Sequence, residues 1–215
     1  MADVKLEPTH ILHWMQHYAA LIEEHKDYLT ALDAAIGDAD HGVNMHRGLQ
    51  AVCTRLETQP EADIASACKA IGMTLVSTVG GASGPLYGSF FLQVAKASSD
   101  GSWPLRTFAT ALQQGADAVA GRGKAQPGDK TMLDSLIPAT AALQQAAEQG
   151  QPWPQALQQA AEAAHSGMEA TTALLARKGR ASYLGERSVG HQDPGATSVQ
   201  LLFHAAHEVW SDRLA

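Results

Sequence analysis

The sequence predicts an all-α protein made of one domain. Apolar residues recur every three or four positions along nearly the whole chain, whereas strand-like alternation never continues beyond a few residues. Aromatic residues make up only 6% of a chain rich in alanine, which disfavours a β-sandwich of bulky and β-branched side chains. The 215 residues suffice for one sizeable core and contain no linker-like tract, so we expect residues 1–215 to form a single domain.

Nine helical segments follow from this periodicity. In the first, Ile11, Met15, Tyr18 and Ile22 form one apolar stripe, and Thr9 is the candidate N-cap. Glycines and prolines separate the later segments, because both residue types interrupt helices. The predicted helices cover residues 11–22, 27–36, 43–56, 63–79, 86–94, 103–120, 132–143, 154–175 and 199–209.

The composition excludes several classes of protein. A formal net charge of -7 argues against general nucleic-acid binding, which requires a basic surface. Cys53 and Cys68 belong to no CxxC motif, so we expect neither a disulfide framework nor a zinc finger, and we interpret both as small buried apolar groups. The chain has no charged-then-apolar leader and no apolar run of about 18 residues, which predicts a cytoplasmic protein that does not enter a membrane.

Four connections between the predicted helices are richer in glycine and reactive side chains than simple connectors need to be. They cover residues 37–44, 80–88, 121–131 and 179–196. Loops carry function when a rigid scaffold holds them. The sequence therefore predicts a composite site gathered at one end of a helix bundle.

Asp33, Asp38 and Asp40 are candidate metal ligands. Asp33 falls in the last turn of a predicted helix, where the negative end of the helix dipole disfavours a carboxylate unless a cation is present. Three such oxygen donors suit Mg²⁺, whereas an EF-hand is excluded because no glutamate stands at the twelfth loop position. The alternative is that Asp38 caps the next helix and the other two carboxylates are solvated.

Two glycine-containing loops are candidate anion sites. The run 80–85 brings small residues to a helix start, where backbone N–H groups can approach a phosphate, although a tight helix–helix turn explains the glycines equally well. The run 123–131 nearly spells a Walker A loop, but no strand precedes it, so we reject a P-loop. Anion binding by Lys130 and Thr131 stays open, and so does the alternative that Asp129 caps the seventh helix.

The loop from residue 179 to 196 supplies two basic side chains. Arg180 and Arg187 are candidate phosphate clamps, because guanidinium groups bind phosphate oxygens in bidentate fashion. For either arginine alone, a solvated basic loop is the simpler interpretation.

Taken in order, the four loops resemble the nucleotide-binding L-type domain of dihydroxyacetone kinases over nearly the whole chain. The motifs are GDADHGVNM at 37–45, GGASGPLYG at 80–88, PGDKTM at 127–132, and GRASYLGER followed by DPGA at 179–196. The resemblance implies an antiparallel barrel of eight amphipathic helices with the nucleotide at one end, and Arg180 as the catalytic residue. It implies Asp33, Asp38 and Asp40 as ligands of two Mg²⁺ ions, and the nucleotide contacts His41, Gly42, Val43, Asn44, Ala82, Ser83, Gly123, Met132, Arg180, Asp193, Pro194 and Gly195.

The chain has room for this domain alone, so it resembles the separate ADP-binding subunit of the phosphotransferase-dependent kinases. The resemblance then implies two partners, a phosphohistidine-carrying M-type phosphocarrier that phosphorylates the bound ADP, and a K subunit that holds dihydroxyacetone. Three alternatives stay open: a subunit using exchangeable ATP, a Mg²⁺-dependent phosphatase, and a helical interaction module in which the glycines serve packing. Whether the chain forms a homodimer is open too.

Overall fold

The computed structural model describes residues 5–97, 102–211 and 214. Within these residues the chain is all-α, as predicted, and its only β-type pairing is one isolated bridge between Leu6 and Trp103. Two 3-10 helices, Thr171–Ala173 and Arg180–Ser188, lie between the last two α-helices. The nine α-helices are α1 Pro8–Glu24, α2 Lys26–Ile36, α3 His41–Thr58, α4 Ile64–Thr78, α5 Ser83–Val94, α6 Leu105–Gly123, α7 Leu133–Glu148, α8 Trp153–Ala170 and α9 Pro194–Trp210.

Eight of these helices close into a ring. From α3 to α9 each helix packs against the next one along the chain, and α1 closes the ring by packing against both α3 and α9. Helix α2 lies beside the ring, against α3 and α9. Most connections are short, which makes successive helices antiparallel and places every second connection at the same end; only the α8–α9 connection among the four named below is long. The α2–α3, α4–α5, α6–α7 and α8–α9 connections therefore share one end of the barrel, which confirms the predicted architecture.

The opposite end of the barrel is filled by aromatic side chains. The ring centroid of Trp14 lies 5.1 Å from that of Trp210 and 6.0 Å from that of Phe108. Both indole N–H groups are satisfied, since Trp14 Nε1 donates to Leu202 O at 2.8 Å and Trp210 Nε1 donates to His10 O at 3.1 Å. These contacts join the first helix to the last and make the barrel one continuous core.

Several helix ends differ from the predicted ones, and at two of them a side chain explains the difference. Helix α1 begins at Pro8, and Glu7 rather than Thr9 is its N-cap, in a capping box with His10. Helix α8 stops at Ala170 instead of continuing to residue 175. The side chain of Thr171 explains this end, because its Oγ1 donates to Met168 O at 2.6 Å and accepts the Asp193 N–H at 3.0 Å.

None of the helices in the described part of the chain combines the length and apolar character needed to cross a lipid bilayer.

Candidate functional site

A cavity of about 430 Å³ opens at the end of the barrel where the four glycine-rich connections meet. Every one of these connections contributes to its wall, which confirms that the loops form one composite site. The lining contains carboxylates together with four apolar side chains, Leu86, Val119, Met132 and Leu133, which we call the apolar wall. A site with both kinds of group suits a ligand that has a charged part and a flat apolar part.

Asp33, Asp38 and Asp40, which we call the carboxylate trio, lie together at the mouth of this cavity. One oxygen from each lies within 4.8 Å of the others. Asp33 is buried, and its Oδ2 accepts the N–H groups of Asp40 at 2.8 Å and of His41 at 3.1 Å. These bonds hold the connection against the end of α2. Three convergent hard oxygen donors, one of them fixed by the backbone, form a suitable ligand set for Mg²⁺.

The backbone of the α2–α3 connection brings the trio together. A Cβ at Gly37 would lie 2.0 Å from Asp33 Oδ1, so only glycine allows the chain to pass this carboxylate. Ala39 adopts a left-handed φ of 62°, a conformation that costs a non-glycine residue about 1–2 kcal/mol. That turn reverses the chain between Asp38 and Asp40. Neither makes a side-chain cap to α3, so the alternative in which Asp38 caps this helix is wrong.

Arg180 reaches the trio from the α8–α9 connection. Its Nη2 lies 3.0 Å from Asp38 Oδ2, and 68% of the arginine side chain is exposed. An exposed pair of this kind is worth only about 0–1 kcal/mol, so the guanidinium can exchange partners at little cost. Arg187, the other candidate clamp, is exposed and is absent from the residues that line the cavity.

His41 anchors the floor of the site through a buried hydrogen-bond network. Its Nδ1 lies 3.1 Å from Ser83 Oγ, and its Nε2 lies 2.9 Å from Ser198 Oγ. Ser198 Oγ in turn lies 2.8 Å from the hydroxyl of Tyr87. Burial lowers the pKa of His41 to about 4, although the nearby Asp33 acts in the opposite direction, so the ring is neutral at pH 7. Sequence reasoning missed Ser198, whose only signal is its place three residues after Gly195.

The glycine loop before α5 has a geometry that is compatible with both interpretations considered for it. Ser83 is the first residue of α5, and both Ala82 and Ser83 line the cavity, so the free amide groups of the helix start lie at the site. Gly84 serves packing, because a Cβ there would lie 2.3 Å from Val79 O. Close packing and anion access are therefore compatible in this loop.

The Walker-like run 123–131 is not built as a P-loop. Lys130 is only 1% exposed, and its Nζ donates to Leu174 O at 3.1 Å and to Ser188 O at 2.6 Å. Asp129 does not cap α7, since its Oδ2 accepts the Gln126 N–H at 2.9 Å. The side chain that binds the end of this loop is Asp134, whose Oδ2 accepts the Thr131 N–H at 2.7 Å.

Asp193 caps α9 from a buried position. Its Oδ2 accepts the Ala196 N–H at 2.7 Å, and the residue is only 8% exposed. Burial raises the pKa of Asp193 to about 7; the Ala196 N–H opposes this rise, and the negative charge of Asp134 adds to it. The site therefore contains a carboxyl group that is partly protonated near neutral pH.

The predicted nucleotide contacts fall into two groups. Gly42 packs against α2, where a Cβ would lie 2.1 Å from Lys26 O. Val43 is 49% exposed. Asn44 is buried, and its Oδ1 accepts from Arg47 Nη2 at 2.7 Å. None of the three lines the cavity. The residues that do line it are His41, Ala82, Ser83, Gly123, Met132, Arg180, Asp193, Pro194 and Gly195.

Comparison with known proteins identifies the family. A model of the DAK2 domain matches residues 35–208. The PEP-dependent dihydroxyacetone kinase ADP-binding subunit DhaL of Escherichia coli K12 is 48% identical over 210 residues, covering 95% of this chain and 100% of the relative. The PTS-dependent dihydroxyacetone kinase ADP-binding subunit DhaL of Lactococcus lactis IL1403 is 40% identical, covering 92% and 95% of the two chains.

Solved structures agree with this assignment. The dihydroxyacetone kinase of C. freundii in complex with AMP-PNP and Mg²⁺ matches with a TM-score of 0.72 and 26% identity, covering 97% of this chain and 36% of that one. Its native form matches with a TM-score of 0.73. The relatives are phosphotransferases, and by the DAK2 match and these near full-length alignments the chain belongs to the DAK2-domain family of dihydroxyacetone kinase subunits, as its loop motifs predicted.

Proposed function

We propose that this chain is the ADP-binding subunit of a PEP-dependent dihydroxyacetone kinase. The observation that carries the proposal is the carboxylate trio, whose oxygens lie within 4.8 Å of one another in the lining of a cavity that also contains apolar side chains. Full-length similarity to a subunit of that name supports the same conclusion.

The residues present fit magnesium and an adenine nucleotide. Asp33, Asp38 and Asp40 would hold two Mg²⁺ ions, since Mg²⁺ binds through a few carboxylates together with phosphate oxygens and water. When bound, the metal would neutralise phosphate charge, and the nucleotide would carry the phosphoryl group as ATP between the donor and the triose. Gly123 and Met132 would contact the adenine from the apolar wall, and Asp193 to Gly195 would close over the nucleotide.

Arg180 is the residue of this chain that we expect to act on the transferred group. Phosphoryl transfer spreads negative charge over the phosphoryl oxygens, and a guanidinium placed beside them stabilises that charge. In the structure this group donates to Asp38 at 3.0 Å, so it already lies at the carboxylate end of the cavity. The helix start at Ala82 and Ser83 would add backbone N–H donors to the phosphates.

No general base is needed on this chain if the triose is held elsewhere. His41 is a poor candidate, because its ring nitrogens already face two hydroxyl groups and burial lowers its pKa to about 4. We propose that a K subunit holds dihydroxyacetone and supplies the base. We further propose that a phosphohistidine on an M-type phosphocarrier rephosphorylates the bound ADP in place.

The nucleotide content of the untreated protein tests this proposal directly. A dialysed sample is heat-denatured and the supernatant chromatographed, and about one equivalent of ADP per chain is expected. Absence of adenine nucleotide would contradict a tightly bound coenzyme. Labelled phosphate transferred from a phosphohistidine donor, rather than from free ATP, separates this subunit from one that uses exchangeable ATP. Phosphate release from small phosphoesters by the chain alone would instead favour a phosphatase.

Asp38→Asn tests the metal ligands. The substitution keeps the size of the side chain and removes a charged ligand, so Mg²⁺-dependent retention of ADP should fall at least about tenfold while helicity by circular dichroism is unchanged. Asp117→Asn is the matched control, because Asp117 is exposed on α6 and is not among the residues that line the cavity. Retention equal to wild type in Asp38→Asn would remove the metal assignment.

A further inference from the structure

The segment from residue 174 to 188, which we call the Arg180 segment, is fastened at both ends to the same neighbouring loop. At one end, Leu174 O accepts from Lys130 Nζ at 3.1 Å, and the Arg177 N–H donates to Asp129 O at 3.0 Å. At the other end, Ser188 O accepts from Lys130 Nζ at 2.6 Å. One ammonium group therefore joins the start and the end of the segment to the α6–α7 connection.

Ser188 closes the same segment from inside. Its Oγ accepts the Ala176 N–H at 2.9 Å and donates to Gly185 O at 2.7 Å, so the two ends of the segment are also linked to each other. Between them, Ala181 packs into a small apolar cluster with Ile36 of α2. The two ends of the segment, at residues 174 and 188, are thus held in place, and Ala181 packs against α2 between them. The guanidinium of Arg180 remains exposed.

The conformation and burial of Lys130 are both energetically unfavourable. It is 1% exposed and has a left-handed φ of 61°. Burial lowers its pKa, an effect that the negative charge of Asp193 opposes. A buried ammonium with three donors needs several acceptors, and two of them here are the carbonyl groups at the ends of the Arg180 segment. Lys130 lines the cavity, but at least two of the three donors of its ammonium group are occupied by these backbone carbonyls.

We propose that Lys130 is a positioning residue, which acts through Arg180 by fastening the segment that carries this arginine to the α6–α7 connection. The predicted effect on nucleotide binding rests on the proposed function, whereas the predicted effect of Lys130 on the position of the segment does not. Without Lys130 the two carbonyl groups lose their shared donor, the base of the segment opens, and Arg180 samples positions away from Asp38 and the phosphates. The consequence is faster loss of nucleotide, with no change in the metal ligands.

A double-mutant cycle distinguishes positioning from a general structural effect. The resident nucleotide is first removed from wild type, Lys130→Met, Arg180→Ala and the double variant, and each protein is then loaded with a fluorescent ADP analogue and Mg²⁺. The dissociation rate of the analogue is measured for all four proteins. We expect each single substitution to raise the rate at least about fivefold, and the double variant to stay within about twofold of Arg180→Ala alone, because residues acting through one another are non-additive. Effects that multiply in the double variant, or a wild-type rate in Lys130→Met, would overturn the proposal.

Limited trypsin digestion of the nucleotide-free protein tests whether Lys130 holds the Arg180 segment in place. The segment contains the exposed cleavage sites Arg177, Arg180 and Arg187. Cleavage after Arg187 should be at least about tenfold faster in Lys130→Met, whereas Lys69→Met, which changes an exposed lysine on α4, should match wild type. Unchanged cleavage in Lys130→Met would overturn the proposal.

A second variant keeps the test decisive if Lys130→Met does not fold. Ser188→Ala removes the hydroxyl that links the two ends of the segment and leaves Lys130 intact. It should accelerate cleavage after Arg187 and be non-additive with Arg180→Ala, and failure of either result would count against the proposal. Failure of the wild-type protein to bind the analogue after its resident nucleotide has been removed would refute the proposed function. The trypsin result would still test whether Lys130 holds the segment in place.

Discussion

The buried carboxyl of Asp193 should make the stability of the nucleotide-free protein depend on pH. Its pKa is raised from 3.8 to about 7 in the folded state, so the folded state disfavours the charged form. The unfolded chain ionises first, near pH 4, and stability falls from there until the folded-state pKa is passed. The full loss is about 4 kcal/mol, since each pH unit between the two pKa values corresponds to about 1.4 kcal/mol.

Asp193→Asn isolates this effect, because asparagine is a good N-cap but does not ionise. Between pH 5 and pH 8 the wild type should lose about 3 kcal/mol relative to the variant, most of the remaining loss having occurred below pH 5. Urea unfolding in EDTA, followed by circular dichroism at several pH values, measures this difference. Asp193→Ala is the control, since it removes both charge and cap and should cost about 1 kcal/mol relative to Asn at every pH. Parallel profiles for wild type and Asp193→Asn would refute the reasoning.

Two further predictions concern packing and cysteine reactivity. Gly167→Ala should destabilise the protein by about 1–3 kcal/mol in urea unfolding, because its Cβ would lie 2.0 Å from Asp134 O across the α7–α8 contact. Gly121→Ala, where no atom lies within 4 Å of the new Cβ, should instead stabilise α6 by about 0.5–1 kcal/mol. Burial raises the pKa of Cys53 to about 11 and of Cys68 to about 12, so neither thiol should react with DTNB at pH 8 until denaturant is added.

Local patterns predicted the helices and the carboxylate trio. The apolar stripe of α1 is visible because Ile11, Met15 and Tyr18 repeat at helical spacing, and all three are buried. Asp33 and Asp40 are only seven residues apart, so a helix end and one short connection suffice to bring them together. Features set by neighbours in sequence are readable from the sequence alone.

Features set by distant neighbours were not predicted. The bond between His41 and Ser198 spans 157 residues, and nothing near Ser198 marks it as part of the site. The sequence around Lys130 resembles a P-loop, which made this residue a candidate phosphate ligand. The two carbonyl oxygens that accept from its Nζ lie 44 and 58 residues further along the chain. Thr171 ends α8 through a partner at Asp193, which helical periodicity could not reveal.

Joining the first helix to the last delays the completion of folding during synthesis. The indole N–H of Trp14 donates to a residue 188 positions later, so the part of the apolar stripe of α1 that packs against α9 stays uncovered until α9 has left the ribosome. At about 5–20 residues per second, this wait lasts about 10–40 s. A nascent chain that is stalled before α9 should therefore bind chaperones through α1 and remain sensitive to protease along its whole length, since no shorter set of helices closes the ring.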